Sequence, residues 1–143
     1  MKDGLIVILD SDGLIALINQ EDANNRQAMQ INNFFREQKA TMIIPVTTIV
    51  EAITALKRKI NKPELTKVII DSCISGAIPV IDVPANILSE AVVFFKADGS
   101  KKDTMFDAVI CAFAKRYKAD AIFSFDKGYK KSNIPLAADL LKD

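Results

Sequence analysis

Four carboxylates in this chain are hard to explain as ordinary surface charges: Asp10, Glu51, Asp107 and Asp126. Asp10 follows the apolar run Leu5-Ile6-Val7-Ile8-Leu9, and Asp126 follows Ala121-Ile122-Phe123-Ser124-Phe125. Glu51 and Asp107 stand among apolar and small residues, in Ile49-Val50-Glu51-Ala52-Ile53 and Met105-Phe106-Asp107-Ala108-Val109. An acid in such surroundings is costly to desolvate unless a cation pairs with it. Taken singly, each also has a plain reading as a helix cap or a first-turn charge favoured by the helix dipole. The chain has no histidine. Imidazole bases and Ser-His-Asp or Cys-His nucleophiles are thereby excluded, leaving carboxylates, lysines or a metal-activated water to do chemistry. Carboxylates gathered in one place repel one another and need a cation. An all-oxygen donor set selects a hard ion, Mg²⁺ or Mn²⁺. Such an ion suits the stabilisation of charge on phosphoryl oxygens and the activation of water, so the expected substrate contains phosphate.

Acids this far apart in sequence can act together only if the fold gathers them. Short apolar stretches at 5–9, 41–45, 79–83 and 121–125 read as buried strands, and 134–137 reads as a short edge strand. Between them lie helical patterns: a short one from Leu14, then 24–38, a helix after Pro45 that closes on Lys57-Arg58-Lys59, one from Pro63 to Gly76, one from Pro84, and one over 103–117. Residues 98–102 read as a loop. Strands alternating with helices predict an α/β fold: a three-layer α/β/α sandwich on a small parallel sheet of four to five strands, forming one domain over 1–143.

In open parallel sheets, ligands bind outside the carboxyl ends of the strands. Asp10 and Asp126 fall at two such ends. Glu51 lies early in the helix leaving the second strand. Asp107 lies one turn into a helix that runs antiparallel to the fourth strand and so begins at the same edge. All four acids are therefore expected on one rim, as candidate catalytic residues and metal ligands. Asp12 is expected to cap the first helix, an indirect contact to the metal being the alternative. Asp103, one turn before Asp107, could join the cluster, whereas Asp98 and Asp139 read as ordinary loop or cap acids.

Composition bounds the rest. Half the residues are hydrophobic and 26% are charged, as in soluble globular proteins. No apolar run approaches the ~18 residues of a membrane span, and no secretion signal is evident, so a cytoplasmic protein with no membrane association is expected. Cys73 and Cys111 sit in helical apolar patterns and read as buried thiols of a reducing compartment. Two distant cysteines without histidine make no zinc site. The net charge of +1 leaves the remaining surface basic if several acids share one site. Lys101, Lys102, Lys127, Lys130 and Lys131 fall near the expected rim, where they could contact the backbone of a polyanion. Lys57-Arg58-Lys59 and Lys115-Arg116-Lys118 are expected at the opposite edge as solvated helix ends. Phe125 and Tyr129 are either stacking surfaces near the rim or core, and Phe106, Val109, Ile110 and Phe113 are expected on the buried face of their helix.

The segments ILDSDGLIAL, IPVTTIVEAITAL and TMFDAVICAFAKRYKADAIFSFDKGY together resemble the PIN domain, named for the PilT N-terminus. In that family an apolar strand ends in Asp followed by Ser or Thr, here Asp10-Ser11. A later helix supplies a Glu, here Glu51. An Asp-Ala pair opens a small-residue helix, here Asp107-Ala108. A hydroxyl residue, a spacer and an Asp end the last strand, here Ser124-Phe125-Asp126, with Tyr129 at an aromatic position. The resemblance implies a metal-dependent endoribonuclease in which these carboxylates hold Mg²⁺ or Mn²⁺ for hydrolysis of RNA. At this size it is similar to the VapC-type toxins of type II toxin–antitoxin pairs, which implies a homodimer and a small antitoxin protein as partner. Two positions depart from the pattern: Asp12-Gly13 replaces a neutral pair, and Phe125 replaces a frequent polar residue.

Two other readings compete. Asp10-Ser11-Asp12-Gly13 also resembles the first motif of haloacid-dehalogenase-like phosphatases, with Asp10 as nucleophile and Asp12 as general acid/base. Leu14 replaces the expected Thr there, and no acidic pair follows a later strand. The third reading is a non-catalytic interaction module of the same fold, which would not need all four acids.

Overall fold

The computed structural model describes residues 4–141. Four parallel strands form one sheet in the order β3-β2-β1-β4, with β1 at Ile6–Leu9, β2 at Thr41–Pro45, β3 at Val80–Ile81 and β4 at Ala121–Phe123. β1 is central: Val7 pairs with Met42 of β2 on one side and with Ala121 of β4 on the other. Side chains alternate across it. Val7 and Leu9 enter one core with α1 (Ser11–Ile18), α2 (Asn25–Glu37), α3 (Val46–Arg58) and α4 (Pro63–Ile74). Ile8 enters the other with α5 (Ile87–Ala91) and α6 (Met105–Arg116). Three layers result, with helices on both faces of a sheet too apolar to meet water on either.

The strand order has a functional consequence. The chain moves from β1 out through β2 to β3, then crosses the opposite face on α5 and α6 and lays β4 on the far side of β1. The crevice between β1 and β4 is therefore the point at which the winding reverses, where open α/β sheets leave room for a ligand.

Three expected elements are shorter than the sequence suggests. The strand over 79–83 keeps only Val80–Ile81, between Pro79 and Pro84. The edge strand over 134–137 reduces to a single parallel bridge, Ile122 with Leu136, because Pro135 offers its carbonyl to the Ile122 N–H but has no N–H to extend a ladder. The helix after Pro84 is α5 plus one 3₁₀ turn over Val92–Phe94, where β-branched and aromatic residues are weaker α-helix formers than the Leu and Ala before them.

Gly13 lets α1 start close against β4. A Cβ at this position would lie 2.4 Å from the Phe123 carbonyl oxygen, a backbone atom that cannot rotate away. Gly13→Ala is expected to destabilise the protein by about 3 kcal/mol in urea unfolding. A loss below 1 kcal/mol would mean the junction yields.

Candidate active site

Asp10 occupies the N-cap position of α1 with extended backbone, yet its side chain makes no capping bond. It is 4% exposed. Its Oδ2 lies 2.8 Å from the hydroxyl of Tyr129, while its Oδ1 is buried without a hydrogen-bond partner. Burial chiefly, and then the charge of Asp12, push the Asp10 carboxyl well above its ordinary range, against the Ser11 N–H and the Tyr129 hydroxyl.

Asp107 faces it across the same hydroxyl. The Tyr129 oxygen is 2.9 Å from Asp107 Oδ1, so one O–H hydrogen serves two carboxylates. Asp107 also closes a capping box at the start of α6: its N–H donates to Thr104 Oγ1 at 3.3 Å, and the Thr104 N–H donates to its Oδ2 at 3.4 Å. The plain reading of Asp107 as a helix cap and its reading as a site residue thus hold together, one oxygen for each.

Glu51, half-buried on α3, accepts the Ser11 hydroxyl at 2.6 Å. Burial first, then the charges of Asp107 and Asp12, raise its carboxyl above its ordinary value, while Ser11 and Lys59 oppose the rise. A hydrogen bond from the Thr48 hydroxyl to the Leu9 carbonyl, 2.8 Å, ties the first turn of α3 to the end of β1 and sets where Glu51 stands. Asp126 is the most open of the four. It is exposed and caps the 3₁₀ turn Lys127–Ser132 through the Gly128 N–H at 2.8 Å. With Asp103, Asp107 and Tyr129 it lines a narrow cleft, so Asp103 does border the cluster.

Asp12 does not act as expected. It is not the cap of α1; its Oδ2 accepts the Phe125 N–H at 2.9 Å, tying α1 to the segment after β4. Its other oxygen is buried without a partner, and burial raises its carboxyl, opposed first by the Phe125 N–H and then by the nearby Ser124 hydroxyl and Gly13 N–H. The two departures noted above thus meet here: Asp12 and Gly13 fit α1 against Phe123 and Phe125.

Two further expectations change. Phe106 is 41% exposed rather than buried, because the first turn of α6 reaches the edge where β1 and β4 have ended. Arg58 and Lys59 are not simply solvated at the far edge. With Glu51, Thr54, Thr104 and Phe106 they line a groove of about 530 Å³. On the other flank, Lys127, Lys130 and Phe125 line a second groove of about 360 Å³. Lys101 and Lys102 are exposed, and the side chain of Lys131 lies outside the described residues. The hydroxyl roles of Tyr129 and Ser11 emerge only from the fold; a buried Tyr needs a partner for its hydroxyl, and its place three residues after Asp126 is the one signal of it in the sequence.

Among the described residues, no three acids are drawn close enough to hold an ion as they stand. Their chemistry nevertheless fits a hard divalent cation. The donors are all oxygen, the buried Oδ1 of Asp10 lacks a partner, and burial first, then the neighbouring carboxylates, hold the charged forms of Asp10 and Glu51 at a disadvantage.

The PIN-domain family profile matches residues 7–133, nearly the whole chain. The chain belongs to the PIN-domain family. No curated protein sequence matches it. Among solved structures, this PIN domain is similar to VapC20 of Mycobacterium tuberculosis, described as a sarcin–ricin-loop-cleaving toxin, with a TM-score of 0.75 at 16% identity over 90% of this chain and 95% of that one. It is also similar to VapBC2 of Rickettsia felis, solved bound to a DNA fragment from their promoter, with a TM-score of 0.58 at 16% identity over 92% and 97%. PAE2754 of Pyrobaculum aerophilum aligns with a TM-score of 0.60 at 16% identity over 99% and 91%. At these identities the likeness is one of fold.

Proposed function

We propose that this PIN domain is a Mg²⁺- or Mn²⁺-dependent endoribonuclease, the cytoplasmic toxin of a type II toxin–antitoxin pair, working as a homodimer and neutralised by a small antitoxin protein. The observation that carries the reading is Asp10: a buried carboxylate with one oxygen unpartnered, joined to Asp107 through a single hydroxyl. A carboxylate so placed is a liability in a structural role and an asset for holding a cation. The toxin descriptions of VapC20 and the paired naming of VapBC2 support the substrate class and the partner.

Asp10, Glu51, Asp107 and Asp126 would hold the ion. When bound, it supplies charge stabilisation on the phosphoryl oxygens and activates a water. The chain's other residues position these acids. Tyr129 sets the separation of Asp10 and Asp107, and Ser11 orients Glu51. The Asp12–Phe125 bond fixes the segment that presents Asp126. Cations on both flanks are available to the phosphates of a polyanion.

The phosphatase alternative needs Asp12 as a mobile general acid/base, but Asp12 is engaged with the Phe125 N–H. The purified chain is expected to cleave RNA with Mg²⁺ or Mn²⁺ and to stop with EDTA. A covalent phosphate trapped on Asp10 would replace this reading with the phosphatase, and absence of any metal binding would favour the interaction module.

A further inference from the structure

The groove that begins at Glu51 has walls of unlike chemistry. Glu51, Thr54 and Arg58 recur along one face of α3, and Lys59 follows at its end, about 12 Å along the axis from Glu51 at ~1.5 Å per residue. Thr104 and Phe106, from the start of α6, face them. The threonines spend hydrogen-bonding capacity locally: Thr54 donates to the Val50 carbonyl, and Thr104 Oγ1 accepts the Asp107 N–H. What the groove offers a ligand is therefore an exposed aromatic ring opposite two cations. Neither Arg58 nor Lys59 is in an ion pair with a carboxylate among the described residues.

We propose that this groove is a nucleotide subsite, in which an unpaired base stacks on Phe106 while Arg58 and Lys59 take the phosphates beside it. The proposal rests on the ribonuclease reading above and adds where the strand lies on one flank of the acids. Charge selects the occupant. The cations complement a polyanion, and the one acid lining the groove, Glu51, lies at the end that opens on the reacting phosphate. Aromatic rings beside cations are the usual platform for single-stranded nucleic acid, since every base has a face to stack. In a duplex that face is covered by its neighbours, so the nucleotide on this flank of the cleavage point must be unpaired.

The test measures binding of a short fluorescein-labelled single-stranded oligoribonucleotide by anisotropy, on the Asp10→Asn chain to prevent turnover. Phe106→Ala and Phe106→Leu are each expected to weaken binding roughly tenfold, and Phe106→Tyr to retain it. Because Phe106→Ala could disturb the start of α6, the Leu and Tyr variants decide: both keep apolar bulk and only one keeps the ring. Arg58→Ala and Lys59→Ala are each expected to lower the slope of log K against log salt by about 0.7. Equal binding by the Leu and parent chains, or an unchanged salt slope, would overturn the subsite while cleavage by the wild-type chain still stood. That result would also be the outcome if the groove received a peptide from a protein partner. Failure of the wild-type chain to bind or cleave RNA would overturn both readings together.

Discussion

Asp10→Asn and Asp107→Asn are each expected to lower Mg²⁺-dependent RNA cleavage by roughly a thousandfold, and neither to unfold the protein. The size follows from what the carboxylates are asked to do: a hard cation at a phosphoryl centre contributes several kcal/mol, and ~4 kcal/mol is about three powers of ten. The two variants separate on stability. In metal-free protein, Asp10→Asn removes a buried carboxyl whose charged form burial disfavours and whose Oδ1 has no partner, and it leaves an amide oxygen to accept the Tyr129 hydroxyl. Its melting temperature should equal or exceed that of the wild type. Asp107→Asn removes a first-turn charge from α6 and weakens its capping box, a loss of about 0.3–1 kcal/mol. Asp71→Asn is the control. It breaks an exposed pair with Lys67 on α4 and should leave cleavage unchanged. Full cleavage by both site variants would remove these acids from the chemistry. Loss of activity that tracks loss of fold would assign them to architecture.

Expecting the acids on one rim required only strand ends and helix directions, and these are legible because each strand is a short apolar run bounded by an acid or a proline. Asp10 follows Leu9 directly, and α6 begins where the chain must turn back toward β4. The limits of that reading have a common cause. Periodicity assigns a face to a residue but does not say whether the layer beneath still exists. Phe106 has the right spacing from Val109 and Ile110 for burial, yet β1 and β4 have already ended beneath its turn. The position of Asp12 has the same origin. A carboxylate near a helix start reads as a cap, and only the tertiary approach of Phe125 turns it aside to a bond 113 residues away in sequence.

Hydroxyl partners were the least legible part of the site. Tyr129 is buried to 1% exposure, which its apolar ring would explain without any function. Its oxygen gains meaning only when Asp10 and Asp107, 97 residues apart, arrive on either side of it. Ser11 is similar, since its partner lies on α3. From their place in the sequence, Arg58 and Lys59 read as helix-end cations. A helix end projects side chains back along its own face as well as outward, and this one returns toward Glu51.

Metal-free protein is expected to gain stability as the pH falls from neutrality toward the ordinary carboxylate value of roughly 4, against the usual direction for a protein. Asp10, Asp12 and Glu51 all have folded-state values raised above their unfolded ones, with burial the first cause in each. The native state then binds more protons than the unfolded chain. The stabilising contribution is complete below the ordinary carboxylate value of roughly 4, and it is lost as pH rises through the raised folded values. Glu21 and Glu90, lowered by Lys62 and Arg116, act in the opposite sense but are exposed, so water and salt screen them. Each pKa unit of difference is worth about 1.4 kcal/mol, and for a chain of this size each kcal/mol moves the melting temperature by roughly 3–5 °C. A rise in melting temperature on acidification is therefore expected. Mn²⁺ at a hundredfold excess over its dissociation constant should stabilise the protein at pH 7.5 by about 2.7 kcal/mol, and should do less at pH 5.5, where protons compete for the same oxygens. Asp10→Asn should flatten the pH dependence and remove most of the Mn²⁺ shift. A melting temperature that falls on acidification over this range would mean the carboxylates are already satisfied without a cation, and the case for a metal site at Asp10 would fail.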